Sequence, residues 1–149
     1  MPRHYSEMTD RQRLAHVQRR IDSNPFSSLI HLKAISLWPD GAELELPIRK
    51  PVMQMLGLVH GGALATLIDS ATACAIWPRL EAEGLKAVTL EMKINFLASP
   101  KGKFCRSRAE LVRYGRTTAY LEAGVSDAAG KLCCRASATY FILRAETPA

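Results

Sequence analysis

Apolar residues recur along this chain with two different periods, and the change of period marks its elements. Leu14, Val17 and Ile21 fall on one helical face, with Thr9 or Asp10 placed to cap the segment, which predicts a peripheral helix ending near Asn24-Pro25. Ile30 to Trp38 alternates apolar and polar positions, Pro39-Asp40-Gly41 is a turn signal, and Ala42 to Ile48 alternates again. This predicts a hairpin, with Pro47 marking an edge or a strand end. The period then lengthens: from Gly62 to about Arg79 the chain is apolar, alanine-rich and helically spaced, with a stop expected around Trp77-Pro78. Strand-like runs follow at Lys86 to Phe96, Lys103 to Tyr114, Thr117 to Ser126 and Lys131 to Leu143, with turns at Pro100-Lys101-Gly102, Gly115-Arg116 and Asp127 to Gly130.

One long helix among mainly antiparallel strands is an α+β pattern, and laying the helix across the concave face of the sheet is the simplest way to bury it. There is no internal repeat, low-complexity tract or linker, so residues 1–149 read as one domain, with about 1–26 as an N-terminal helical extension. A chain of 149 residues with 48% hydrophobic and 23% charged residues suits a single core and does not suit disorder. No apolar stretch approaches the roughly 20 residues that span a bilayer, and Met1 to Glu7 lacks the apolar centre of a secretory signal. The expectation is a cytoplasmic protein without a membrane partner. Cys74, Cys105, Cys133 and Cys134 have no metal-ligand spacing and read as reduced packing thiols, the adjacent pair pointing to opposite faces of a strand.

A formal charge of +6 raises the question of nucleic acid. The basic residues are dispersed, however, and neither a zinc module nor an RNA-binding aromatic motif is present, so no nucleic-acid partner is expected. Phosphates on a small ligand fit the charge better. Lys101, Lys103 and Arg106 form one basic cluster, and Arg113 and Arg116 flank the Tyr114-Gly115 turn as another.

Candidate chemistry is concentrated between Gln54 and Asp69. A loop ending in His60-Gly61-Gly62 feeds the long helix, so Gly61 and Gly62 should present backbone N–H groups at its positive end, an anion or oxyanion site. Asp69 follows Gly61 by eight residues, about 12 Å along the axis, on a helix otherwise apolar. A carboxylate placed there needs a reason.

These residues carry a family resemblance. Gln54, His60-Gly61-Gly62 and Asp69, together with the run Val88 to Leu97 followed by Ser99-Pro100, resemble the hot-dog-fold acyl-CoA thioesterases of the phenylacetyl-CoA and 4-hydroxybenzoyl-CoA group. The resemblance implies a hot-dog fold, hydrolysis of an acyl or aryl thioester of coenzyme A, and no cofactor beyond the coenzyme A of the substrate. It implies a homodimer or homotetramer whose sites lie between chains, Gln54 and Gly61 of one facing Asp69 and Thr89 of the other. Within that scheme the Gly61 N–H polarises the thioester carbonyl, while Asp69 activates water or attacks directly. Gln54 and Thr89 orient the reacting groups, and His60 fixes the turn or lies near the thioester rather than serving as the base. Gly62, Arg113 and Arg116 bind substrate. Some relatives carry a Thr one turn after the acid, where this chain has Ala73. Met53, Met55, Leu56, Leu58, Ile76, Trp77 and Phe96 are candidates for an apolar acyl pocket, and no metal is called for. A non-catalytic acyl-CoA sensor and a hot-dog dehydratase or hydratase are the alternatives.

Overall fold

In the computed structural model, residues 5–144 are described, so the first four and last five residues of the expected domain lie outside the description. The first helix, α1 (Asp10–Ser23), begins as its sequence predicts. The Thr9 hydroxyl accepts from Gln12 N–H while the Gln12 side chain accepts from Thr9 N–H, a reciprocal cap. Val17 and Ile21 are its buried face. Gln18 ties it to the sheet, accepting from Ala34 N–H at 2.7 Å and donating to the Leu32 carbonyl at 3.2 Å.

A short helix absent from the sequence reading follows, α2 (Pro25–Leu29). Its cap is Asn24, whose Oδ1 accepts from Phe26 and Ser27, with Pro25 at the first helical position. The Asn-Pro pair that was expected to end one helix also starts the next.

β1 (Lys33–Trp38) and β2 (Gly41–Pro47) form the expected hairpin, with Asp40 in the left-handed region at φ 63°. The first apolar residues of the expected strand, Ile30 and Leu32, are buried in the turn that precedes it. Gly41 is required by contact, since a Cβ there would lie 2.0 Å from the Trp38 indole. Pro47 ends β2, but β2 is internal, paired with both β1 and β4.

The long helix α3 (Gly61–Ala82) runs past Pro78, correcting the expected stop at Trp77-Pro78. Proline removes one N–H from the ladder, yet Leu80 beyond it is buried and the Arg79 guanidinium pairs with the Asp40 carboxylate through two contacts. Packing holds the last turn. The helix stops instead at Gly84, left-handed at φ 65°, where Gly84 N–H bonds the Glu81 carbonyl and Leu85 N–H bonds the Leu80 carbonyl. This is a Schellman ending.

The remaining strands are β3 (Lys86–Phe96), β4 (Phe104–Tyr114), β5 (Thr118–Asp127) and β6 (Leu132–Leu143). All six pair antiparallel in the order β1-β2-β4-β5-β6-β3. Leu64, Leu67, Ile68, Ala71, Ala75 and Ile76 of α3 pack on Leu44, Leu46, Leu121, Val125, Ala138 and Ile142 of the sheet, all buried. This is the hot-dog arrangement expected, an open sheet wrapped on one long helix. The four cysteines are free; Cys133 and Cys134 are both buried, so the two faces expected for the pair are both covered. Among the described residues, no helix is long and apolar enough to cross a membrane.

Candidate active site

The centre of the site is Asp69, half-buried on α3. Thr89 of β3 donates to its Oδ1 at 2.8 Å, and the Tyr140 hydroxyl of β6 donates to the same oxygen at 3.1 Å. Tyr140 also lies 2.9 Å from the Asp69 carbonyl and 2.9 Å from Thr72 Oγ1, which in turn donates to the Ile68 and Asp69 carbonyls. Thr72 is fully buried and Tyr140 nearly so. Burial, then the charge of Asp69, pushes the Tyr140 phenol well above its ordinary pKa, so it stays a protonated donor at neutral pH. Two donors fix Oδ1; among the described residues Oδ2 has no partner and is free to accept from water.

A local irregularity of β3 aims Thr89. Thr89 pairs with Tyr140 and Glu91 with Thr139, which leaves Leu90 unpaired as a bulge. Met92 pairs with Ala138 and packs on the core while Thr89 reaches Asp69, so these two residues, three apart, both face the helix side. Without the extra residue, strict alternation would send one of them to the opposite face.

The glycine turn is built separately. His60 caps α3, its Nδ1 accepting from Gly62 N–H at 2.8 Å, which places the imidazole proton on Nε2. This corrects the expectation for Gly62, whose N–H is already occupied. The Gly61 N–H has no acceptor among the described residues, and a Cβ at Gly61 would sit 3.5 Å from the Phe96 ring. Gln54 lies in the loop that leads to this turn, closed by the Met53–Val59 bridge and by His60 N–H on the Val52 carbonyl. Its Oε1 accepts from Leu56 N–H at 2.8 Å, leaving its NH2 group to point elsewhere.

Asp69 with Thr89 is therefore one cluster, and His60, Gly61 and Gln54 another, about 12 Å apart along α3. Arg113 and Arg116 join neither. They sit at the β4–β5 hairpin, where Tyr114 donates to Glu83 Oε2 just beyond the C-terminal end of α3. The 22-residue helix is about 33 Å long, so within one chain these arginines are at the end opposite Gly61. Arg106 of the other basic cluster pairs with Glu45 at 2.9 Å. Of the expected pocket residues, Ile76 and Trp77 line a cavity, whereas Met53, Met55, Leu56, Leu58 and Phe96 are exposed. Among the described residues, no three His, Cys, Asp or Glu gather as metal ligands.

Sequence reading missed Tyr140 and Thr72. The available signals were weak: Tyr140 is the polar-tipped member of the inward series Ala136, Ala138, Tyr140, Ile142, and Thr72 follows Asp69 by three helical positions.

Comparison with known proteins bears on the family to which the chain belongs. The chain is similar to an esterase-named protein of Saccharolobus solfataricus, 32% identical over 121 residues, covering 80% of this chain and 84% of that protein. It is similar to the 1,4-dihydroxy-2-naphthoyl-CoA hydrolase of Escherichia coli, 30% identical over 104 residues, 70% of this chain and 76% of the relative. Among solved structures, a thioesterase family protein from Silicibacter pomeroyi superposes with TM-score 0.78 at 28% identity, over 89% of this chain and 99% of that one. A Streptococcus pneumoniae thioesterase solved with coenzyme A shares the fold at TM-score 0.74 and 22% identity, over 87% and 99% of the two chains. Residues 56–134, which hold the glycine turn, Asp69 and Thr89, match the family model of the thioesterase superfamily, and the chain belongs to that family of hydrolases acting on thioester bonds.

Proposed function

We propose that the protein hydrolyses acyl-CoA thioesters to the free acid and coenzyme A, with Asp69 as general base. The observation that carries this reading is the carboxylate held through Oδ1 by Thr89 and Tyr140 with Oδ2 left open. Oδ2 takes a proton from water as the water attacks the thioester carbon. The carbonyl oxygen gains charge in that step, and the unpaired Gly61 N–H at the positive end of α3 stabilises it. In this reading the NH2 group of Gln54, in the loop that leads to the glycine turn, orients carbonyl or water. Coenzyme A as the thiol is supported by the relatives, among them CoA hydrolases and a structure holding coenzyme A.

Because the two clusters are about 12 Å apart in one chain, the complete site in this reading forms between two chains. Support comes from β3, an edge strand exposing Val88, Leu90 and Phe96, and from exposed Met55 and Leu56 in the loop before Gly61. An apolar edge of this kind favours pairing with a second copy. Single-turnover hydrolysis in heavy-oxygen water tests the role of Asp69. The label should enter only the released acid; label in the Asp69 carboxylate would show direct attack and overturn the general-base role.

A further inference from the structure

A cavity of about 640 Å³ lies between α1, the second half of α3 and the start of β3. Ala73, Cys74 and Trp77 of α3, Ala87 of β3, and Val17 and Ile21 of α1 form its apolar wall, Arg20, Glu81 and Lys86 add charged groups to the lining, and Ser70 and Tyr140 line it on the side of Asp69. That side is adjacent to the reacting carboxylate, since the same Tyr140 hydroxyl bonds Asp69 Oδ1. Positions 70, 73, 74 and 77 form one continuous face of α3 that starts beside Asp69 and leads beneath α1. Ala73 keeps the entrance open at the position one turn beyond the acid.

At the far end, Trp77 is already engaged: the Arg20 guanidinium lies 3.6 Å from its ring centroid and the His16 ring is stacked at 5.2 Å. The apolar wall of the chamber thus offers methyl and methylene contact rather than a free stacking slot, with Glu81 and Lys86 elsewhere in the lining. Burial pushes the Cys74 thiol up to about 12, so it remains neutral and adds to the apolar lining. The volume lies within the range of small-molecule sites, about 300–1,000 Å³. From Asp69 to Trp77 is eight residues, about 12 Å along α3. An extended chain advances about 1.2 Å per bond, as the backbone does at ~3.6 Å per three-bond residue, so roughly ten carbons fill that length.

We propose that this cavity is the acyl chamber, that it takes straight aliphatic acyl groups of about ten carbons, and that α1 is the wall that sets their length. The proposal rests on the thioesterase reading of Asp69. The experiment compares kcat/KM for butyryl-, hexanoyl-, octanoyl-, decanoyl- and benzoyl-CoA. Rates should rise about fourfold per added methylene up to decanoyl. Ala73→Phe should lower the decanoyl-to-butyryl ratio about 15-fold, the equivalent of two methylenes. A flat chain-length profile, benzoyl exceeding decanoyl, or an unchanged ratio in Ala73→Phe would overturn the chamber while Asp69-dependent turnover kept the thioesterase reading intact. A second measurement does not depend on turnover or on a filled chamber. In Trp38→Phe, Trp77 is the remaining tryptophan of the two. Titration with the decyl thioether of coenzyme A should shift its emission and the methyl thioether should not; saturable decyl binding with unchanged Trp77 emission would overturn the assignment.

Discussion

Replacing Tyr140 by Phe removes a single hydroxyl from the network around Asp69 and leaves the buried ring in place. That hydroxyl contacts Asp69 Oδ1 at 3.1 Å, the Asp69 carbonyl at 2.9 Å and Thr72 Oγ1 at 2.9 Å. Thr72 keeps two carbonyl acceptors, those of Ile68 and Asp69, so no hydroxyl is stranded in the core. The loss therefore falls on the carboxylate, which retains one of its two donors. A hydrogen bond to a charged group is worth about 1.5–3 kcal/mol. If that energy is spent on holding Oδ2 in line with the attacking water, its loss slows the reaction about 10- to 150-fold. Thr89→Ala removes the other donor to the same oxygen, so the two substitutions share one acceptor and should not be additive. The assay is steady-state thiol release from an acyl-CoA by wild type, Tyr140→Phe, Thr89→Ala and the double variant. Circular dichroism of each confirms the fold. An unchanged rate in Tyr140→Phe, or strictly multiplicative effects in the double variant, would refute the view that Tyr140 and Thr89 jointly position Asp69.

Other parts of the account are open to equally direct tests. At position 61, proline suits the first helical residue and removes the N–H, whereas alanine also adds a Cβ beside Phe96 but retains the N–H. Gly61→Pro should cost about 10²–10³ in kcat with the fold preserved and Gly61→Ala far less; equal losses would remove the N–H from the mechanism. Asp127 accepts backbone N–H groups from Lys131 and Ala129 at 3.0 Å and from Lys101 at 3.4 Å, and these, Lys131 foremost, hold its carboxyl below the usual range. The folded state thus binds the Asp127 proton more weakly than the unfolded state. Its stabilisation is complete above the unfolded value of about 3.9 and is lost as pH falls through the lowered folded value. Asp127→Ala should therefore flatten the acid side of the melting-temperature profile, and an identical slope to wild type would contradict this. Leu90→Lys on the exposed β3 edge should convert a dimer to monomers in sedimentation and abolish turnover together; a monomeric variant with full activity would show that one chain suffices.

Much of this organisation is legible in the sequence because it rests on local rules. The strands from β3 onward come within a residue of their alternating runs, since the turn chemistry at Gly115 and at Asp127 to Gly130 is strong. Thr9 caps α1 as its spacing implies. The failures share a cause, a tertiary contact overriding a local signal. Pro78 reads as a stop, but the burial of Leu80 and the Arg79–Asp40 pair carry the helix on to the Glu83-Gly84 ending. At the proposed site, Gly61, Asp69 and Thr89 are candidates by their motif and spacing, and the contact of Thr89 with Asp69 is observed. Tyr140 is not, because it lies 71 positions from Asp69 and meets it only through the pairing of β6 with β3. The Leu90 bulge likewise has no sequence signature, although it decides which way Thr89 faces. Arg113 and Arg116 looked suited to phosphate by charge alone, and only the path of β4 places them at the far end of the helix.

The most direct test of the central claim is thiol release from a panel of acyl-CoAs by wild type and Asp69→Ala side by side. Wild type should release thiol and Asp69→Ala should not, with the fold intact. Turnover that persists near the wild-type rate without the Asp69 carboxylate, or saturable acyl-CoA binding by wild type with no thiol released, would contradict that claim.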